Sequence, residues 1–94
     1  KLDSLHSLAK ENLGDIFYKM DNLNKAIIYC LEVLEADPFN LQIRNTLGAI
    51  YCKQGKLDMG IKEFTFILHQ DPNRVEAYKN LVLAYKTRIQ LMEH

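Results

Sequence analysis

The sequence contains few of the residues that would support a disulfide framework or a metal site. Its 94 residues include only two cysteines, Cys30 and Cys52, and no tryptophan. Two thiols are too few for a disulfide framework, and their separation does not match a metal-ligand pair. No apolar run approaches the roughly 20 residues that a membrane-spanning helix needs. We therefore expect no metal, no cofactor, no membrane span and a reducing, cytoplasmic location.

A surplus of charge of one sign is also missing. Twelve Lys and Arg residues cancel twelve Asp and Glu residues. Binding to nucleic acid or to an anionic membrane depends on a surplus of basic residues, so we expect neither as a partner. An apolar content of 48% and a charged content of 26% are typical of a globular chain. The length allows one domain or part of one.

Apolar residues recur at steps of three and four, which predicts amphipathic helices. Polar or glycine-containing breaks follow Met20 and Gln54, and Asp-Pro pairs at Asp37 and Asp71 end two further segments. Five helices result, with Asn40 as the N-cap of the third and Gly55 in a left-handed turn. No break follows Arg88, so we expect the fifth helix to continue to Met92. Nothing alternates with period two, so no sheet is expected.

The sequence repeats itself with a period of 34 residues. Residues 41–74 align without a gap on residues 7–40, and their first half aligns on residues 75–88. The repeated columns hold a leucine, a glycine, an aromatic residue, a second small residue and an Asp-Pro pair: Leu13, Leu47 and Leu81; Gly14 and Gly48; Phe17, Tyr51 and Tyr85; Ala26 and Gly60; Asp37-Pro38 and Asp71-Pro72. A fixed period of this size predicts stacked helical units. We expect the leucines and aromatic residues between helices, with small residues where helices approach closely.

These columns and their period resemble the tetratricopeptide repeat family. The resemblance implies an all-α fold in which antiparallel helix-turn-helix repeats stack as a right-handed α-solenoid. It implies a single domain over residues 1–94, with repeats at 7–40 and 41–74 and a partial repeat or capping helix at 75–94. The implied function is a protein–protein interaction module or scaffold, not an enzyme.

Several positions depart from the family pattern, including Val33 and Ile67, which are larger than the usual alanine. Val82 replaces the glycine of the first two rows, so the last helix either packs differently or has no partner. Lys10 and Arg44 occupy a column that usually holds a large apolar residue. The second helix of the first unit is expected to turn Ile28 and Leu31 inward.

In the family, the first helix of each unit lines a concave groove that binds a peptide or helix of a partner. The columns carry this role to one set of residues: Glu11, Asn12, Asp15, Tyr18, Lys19, Gln42, Asn45, Thr46, Ala49, Cys52, Lys53, Glu76, Lys79, Asn80, Leu83 and Lys86. One edge of this set is acidic, at Glu11, Asp15 and Glu76. The other edge is basic, at Lys19, Lys53 and Lys86.

One subclass of the family binds the acidic tails of chaperones through a clamp of Lys, Asn and Arg. The matching columns here hold Glu11, Asp15, Thr46, Glu76 and Asn80. Carboxylates at these columns would repel a tail carboxylate. We therefore expect no binding of acidic chaperone tails and a preference for peptides with basic and apolar residues.

Three alternatives compete with the groove hypothesis. The first is a self-assembling, homodimeric or oligomeric domain, because apolar residues near both ends lack an obvious neighbour: Leu2, Leu5, Leu8, Leu83, Ile89, Leu91 and Met92. The second is an RNA-binding helical repeat, which the neutral charge disfavours. The third is catalysis, which has little support because His6, His69 and His94 lie at different helix ends. Cys30 is predicted to be buried, and Cys52 to be more exposed.

Overall fold

The chain folds into five α-helices, as the apolar periodicity predicts. The computed structural model describes residues 2–93, and the side chains of residues 8–93. The helices are α1 (Leu2–Lys19), α2 (Leu23–Ala36), α3 (Leu41–Lys53), α4 (Leu57–Gln70) and α5 (Val75–Met92). No strand occurs between residues 2 and 93, so the all-α expectation is confirmed.

Side-chain caps begin two of the helices. The Asn40 Oδ1 accepts a hydrogen bond of 3.1 Å from the Ile43 N–H at the start of α3, so the predicted cap is confirmed. Asn22 plays the same part for α2, where its Oδ1 accepts from the Lys25 N–H at the longer distance of 3.5 Å. The helices α2 and α4 end immediately before the Asp-Pro pairs, because proline disfavours helical geometry at the preceding residue.

Equivalent turns end α1 and α3. Asp21 and Gly55 occupy the same repeat column and have φ angles of 61° and 80°. The next backbone N–H, from Asn22 or Lys56, donates a 2.8 Å hydrogen bond to a carbonyl five residues earlier. The third row has Ile89 in this column, and α5 continues through it to Met92 as predicted. Arg88 of this extension bonds Asp58 of α4 at 2.6 Å.

The five helices form two layers. The helix α3 contacts α1, α2, α4 and α5, while α2 packs on α1 and α5 packs on α4. The first helices of the units, α1, α3 and α5, therefore lie side by side, with α2 and α4 behind them. The molecule is elongated, with extents of 50 × 29 × 18 Å.

Two apolar clusters hold these layers together. The first joins α2 to α3 and consists of Ala26, Cys30, Val33, Leu34, Ile43, Leu47, Ile50 and Tyr51, with Phe17 packed against it. The second joins α4 to α5 and consists of Ile61, Phe64, Ile67, Ala77 and Ala84, with Leu81 packed against it. Each pair of neighbouring units thus shares a buried apolar contact, and such contacts between neighbours stabilise repeat stacks.

The repeated small residues lie where helices cross, as predicted. A Cβ atom on Gly48 would lie 2.6 Å from the Phe64 Cε1. A Cβ atom on Gly60 would lie 2.5 Å from the Cys52 Sγ and 2.9 Å from the Gly48 carbonyl oxygen. At Gly14 the nearest atom, the Cys30 Sγ, is 3.3 Å away, so this crossing is looser. The α3–α4 crossing, which holds Gly48 and Gly60, is therefore tighter than the α1–α2 crossing, which holds Gly14.

Several residues expected in the core are exposed instead. Leu13 and Tyr85 are 36% and 39% exposed, although they share columns with the buried Leu47 and Tyr51. Ile28 and Leu31, predicted to face inward, are 54% and 47% exposed. The physical reason is position in the stack, since α1, α2 and α5 have neighbours among the described residues on fewer sides than α3. Leu2 and Leu5 lie outside the residues whose side chains are described.

The two cations in the apolar column are neutralised by the adjoining helix. The Lys10 Nζ lies 2.9 Å from Glu32 of α2, and this hydrogen bond raises the lysine pKa. The Arg44 Nη1 lies 2.9 Å from Glu63 of α4. The Arg44 Cζ also lies 3.9 Å from the centre of the Phe66 ring. The flat guanidinium thus covers the ring, as the apolar side chain usual in this column would.

We predict that Gly60→Ala destabilises the fold more than Gly14→Ala. The added methyl group at residue 60 meets a backbone carbonyl that cannot move independently, and such overpacking costs about 1–3 kcal/mol. The higher helix propensity of alanine offsets about 1 kcal/mol of that cost. At residue 14 a small shift of Cys30 accommodates the methyl group. Urea denaturation measures the free energy of unfolding of both variants. Equal values would contradict the tight α3–α4 crossing.

We predict that Asn40→Ala lowers the free energy of unfolding by about 1 kcal/mol, because the Ile43 N–H loses its acceptor. Asn22→Ala is the matched control, with a smaller effect because its capping bond is longer. A difference of about 1 kcal/mol corresponds to roughly 4–8 °C in Tm for a domain of this size. Thermal unfolding followed by circular dichroism checks the order, and a reversed order would contradict the role of the α3 cap.

Candidate partner-binding groove

The helices α1, α3 and α5 present one continuous surface. The Asn80 Nδ2 of α5 donates a 2.9 Å hydrogen bond to the Asn45 Oδ1 of α3, and both side chains are partly buried. This bond fixes the spacing of α3 and α5 at the middle of the surface. The surface contains two adjoining clefts, one on each side of the bond.

The first cleft, here called the polar cleft, has a volume of about 440 Å³. It brings together five predicted groove residues from three helices: Asp15 of α1, Gln42, Asn45 and Thr46 of α3, and Glu76 of α5. Arg74 adds a guanidinium, which bonds Asp71 at 3.2 Å. Two carboxylates and several amide or hydroxyl groups make this cleft suited to hydrogen-bond donors and cations.

The second cleft, here called the apolar cleft, has a volume of about 370 Å³. Six predicted groove residues line it: Tyr18, Ala49, Cys52, Lys53, Asn80 and Leu83. Its floor also includes Leu57 and Phe64 from α4, which were not among the predicted residues because they lie on a second helix. Phe64 is almost fully buried, and its ring packs against Gly48, which has no side chain.

The remaining predicted groove residues lie elsewhere. Lys79 and Lys86 line a third cleft of about 460 Å³ on α5, together with Tyr78, Val82 and Leu83. We call these five residues the α5 face. Glu11, Asn12 and Lys19 lie on α1 outside the residues that line these three clefts. Leu83 belongs to both the apolar cleft and the α5 face, so the two adjoin.

Ion pairs reduce the charge contrast between the two groove edges. Asp15 pairs with Lys19 at 3.1 Å, and Lys53 pairs with Asp21 at 3.4 Å. The Lys53 ammonium also lies 5.3 Å from the centre of the Tyr18 ring. Glu76 has no ion-pair partner among the side chains that the structure describes. Because Asp15 is already paired with Lys19, Glu76 is the cleft carboxylate best placed to attract a ligand cation.

The two thiols differ in accessibility. Cys30 is fully buried, as predicted, and burial raises its pKa to about 11, with a smaller contribution from the Asp15 carboxylate. Burial also raises the pKa of Cys52, which is only partly buried and lines the apolar cleft. Neither environment stabilises a thiolate, which a nucleophilic cysteine requires. His69 is exposed near the end of α4, and the side chains of His6 and His94 lie outside those described.

Comparisons with known sequences agree with the repeat period. Two family models, each described as a tetratricopeptide repeat, match residues 9–40 and 29–62. The tetratricopeptide repeat domain-containing protein PYG7, chloroplastic, from Arabidopsis thaliana is 33% identical over 69 residues. The match covers 72% of this chain and 23% of that protein, so the chain spans about a quarter of this relative's length.

Solved structures share the fold at low identity. A TPR domain of Arabidopsis OM64 has a TM-score of 0.84 at 20% identity, covering 93% of this chain and 72% of that one. The crystal structure of MamA has a TM-score of 0.82 at 22% identity, covering 87% and 48%. The first TPR of Spaghetti (RPAP3), bound to the HSP90 peptide SRMEEVD, has a TM-score of 0.83 at 18% identity, covering 93% and 71%. The predicted α-solenoid is thereby confirmed.

These findings bear differently on the other expectations. The described helices include none that is both long enough and apolar enough to cross a bilayer. The Arabidopsis relative is named as a chloroplastic protein, so a cytoplasmic location for this chain stays a prediction. Tetratricopeptide repeats form a non-catalytic fold that mediates protein interactions. The repeat period, the helix pairing and the matches to two repeat models show that the chain belongs to the tetratricopeptide repeat family.

Proposed function

We propose that this interaction module binds an extended or helical segment of a partner protein in the groove formed by α1, α3 and α5. The observation that carries the proposal is the adjacency of the polar and apolar clefts. Asn45 lines one, Asn80 lines the other, and a 2.9 Å bond joins them. A single peptide can therefore reach both, and a mixed cleft of this kind gives apolar burial together with directional polar contacts.

The lining residues define the chemistry of the ligand. A basic side chain of the peptide meets Asp15 and Glu76 in the polar cleft. A neighbouring apolar side chain packs against Tyr18, Ala49 and Leu83 in the apolar cleft. The preferred ligand is therefore a peptide in which a lysine or arginine stands near a bulky apolar residue.

Acidic chaperone tails fit this groove poorly. The structural neighbour that holds the HSP90 peptide SRMEEVD is only 18% identical, so its ligand gives no reason to assign the same one here. Glu11, Asp15 and Glu76 occupy columns used by the chaperone clamp. A peptide carboxylate near Glu76 would meet like charge, which disfavours binding. That the groove does not bind acidic chaperone tails stays a prediction.

The proposal includes no catalytic step and no cofactor. Cys30 and Cys52 have raised pKa values because burial disfavours the thiolate, and His69 is exposed on α4. Self-assembly remains the alternative function predicted from the apolar residues near the ends, of which Leu8, Leu83, Ile89, Leu91 and Met92 are exposed. Sedimentation of the chain over a range of concentrations distinguishes that alternative.

We predict that a lysine-containing peptide binds more tightly than a matched glutamate-containing peptide with the same apolar residues. Glu76→Gln should lower the affinity for the lysine peptide by about two- to fivefold, which is the range expected for an exposed ion pair. The effect should be smaller at high salt. Isothermal titration calorimetry measures both peptides against both chains. The matched control is Glu35→Gln, an exposed carboxylate on α2, away from the groove helices.

Equal affinity for the two peptides, or tighter binding of the glutamate peptide, would contradict the proposed ligand chemistry. If the lysine peptide binds but Glu76→Gln and Glu35→Gln weaken it equally, the binding depends on overall charge and not on the polar cleft.

We predict that a bound peptide protects Cys52, but not Cys30, from alkylation. Cys52 lines the apolar cleft, so an occupied cleft blocks access to its sulfur. With a pKa of about 11, the Cys30 thiol is only roughly one part in a thousand ionised near pH 8, and it reacts only when the chain unfolds. Mass spectrometry of iodoacetamide-treated protein gives the alkylation rates of Cys52 and Cys30, and Cys52→Ser is the control. Unchanged Cys52 alkylation at saturating peptide would place the ligand elsewhere.

A further inference from the structure

We propose that the groove binds its partner as an α-helix, which runs antiparallel to α3 and α5 and carries a bulky apolar residue seven positions before a lysine or arginine. This ligand is a narrower form of the peptide described above, so it rests on the proposed function. What it adds is a conformation, a spacing and a direction for the bound segment.

The two clefts repeat along the groove helices with an offset of seven residues. Three α3 residues line the polar cleft, and the residues seven positions after them line the apolar cleft: Gln42 and Ala49, Asn45 and Cys52, Thr46 and Lys53. The same offset holds on α5, where Glu76 precedes Leu83 and Ala77 precedes Ala84. Seven residues rise about 10.5 Å along a helix, so α3 and α5 separate the two clefts by the same distance.

This distance fits a helical ligand. In a helix, side chains seven residues apart are about 10.5 Å apart along the axis, and their directions differ by only about 20°. In an extended chain, side chains on the same face are about 6.6 or 13 Å apart. The residue three positions on, at about 10 Å, points to the opposite face. A helix therefore places two side chains in the two clefts, and a regular extended peptide does not.

The lining of each cleft identifies the two side chains. Asp15 is paired with Lys19, whereas Glu76 has no ion-pair partner among the described side chains of the polar cleft. In the apolar cleft, Leu83 is 63% exposed and lies opposite Tyr18 of α1. Because Glu76 and Leu83 are seven residues apart on α5, a basic and a bulky apolar residue at the same spacing contact both.

The hydrogen bond between Asn45 and Asn80 restricts the residues between these two anchors. Asn45 lines the polar cleft and Asn80 the apolar cleft, so a ligand helix that occupies both clefts crosses the bond midway. The bond uses the Asn45 oxygen and one Asn80 N–H, and both amides are partly buried. A large apolar residue here would cover polar groups at a cost, whereas alanine or glutamine is tolerated.

Helix dipoles favour one direction of the ligand. The first turns of α3 and α5 line the polar cleft through Leu41, Gln42, Val75 and Glu76, and helix N-termini carry partial positive charge. The C-terminal end of a ligand helix carries partial negative charge, so it is more stable at the polar cleft. A lysine or arginine near that end also interacts favourably with the dipole of the ligand itself. The apolar residue therefore precedes the basic one.

The first test compares two hydrocarbon-stapled helical peptides of about 14 residues, composed of alanine and glutamine around one leucine and one lysine. In one peptide the lysine follows the leucine by seven positions. In the other it follows by five, which rotates it about 140° away from the leucine. Fluorescence anisotropy should show about fivefold tighter binding of the first peptide, because only its lysine reaches the polar cleft.

Glu76→Gln should reduce this difference to about twofold, because Asp15 is then the only carboxylate of the polar cleft. The control variant Glu35→Gln, on α2, should leave the difference unchanged. Circular dichroism checks that both variants remain helical.

Two further measurements address conformation and direction. A peptide of the same composition with a central proline, and with leucine and lysine three positions apart, cannot form the helix and should bind more weakly. A spin label on the N-terminus of the seven-spaced peptide should broaden the amide signals of Lys53 and Thr87, beside the apolar cleft, more than those of Gln42 and Glu76.

Equal affinity for the two spacings, or tighter binding of the proline peptide, would overturn the helical ligand. Broadening centred on Gln42 and Glu76 would overturn its direction. Either result leaves the proposed function intact as long as lysine peptides bind more tightly than their glutamate counterparts. If no lysine peptide does so, whether helical or extended, the proposed function fails and the helical ligand fails with it.

Discussion

The crossing of α3 and α4 is the contact on which the rest of the structure depends. Gly48 and Gly60 bring two backbones so close that the carbonyl of one lies 2.9 Å from the position of a Cβ atom on the other. Phe64 fills the space that this leaves, and it is almost fully buried. Because α3 is the only helix that contacts all four others among the described residues, its distance from α4 positions both clefts of the groove.

The sequence alone was sufficient for the fold because its local signals agree with the repeat. Asn40, Gly55 and the two Asp-Pro pairs mark helix ends by chemistry that acts within a few residues, and the structure has those ends. The exposure of Leu13, Ile28 and Tyr85 could not be predicted in the same way. Periodicity shows that a helix has an apolar side, but burial also requires a neighbour on that side, which position in the stack decides.

The candidate groove was predictable in outline but not in charge. Repeat columns identify which side of α1, α3 and α5 forms the concave surface, so most of the predicted residues line the clefts. They could not reveal that Lys53 pairs with Asp21, because that contact depends on the turn after α1, whereas the Asp15–Lys19 pair follows from i,i+4 spacing within one helix. They also missed Leu57 and Phe64, which reach the apolar cleft from the second layer.

The position of α5 links the groove to the surface behind it. One side of this helix contributes Asn80 and Ala84 to the apolar cleft, and the other side exposes Tyr78 and Val82. Among the described residues it packs on α4 and, more lightly, on α3, so it has less support than the other groove helices. A ligand that spans both clefts would contact α5 through Glu76 and Leu83, and it would therefore stabilise this wall of the groove.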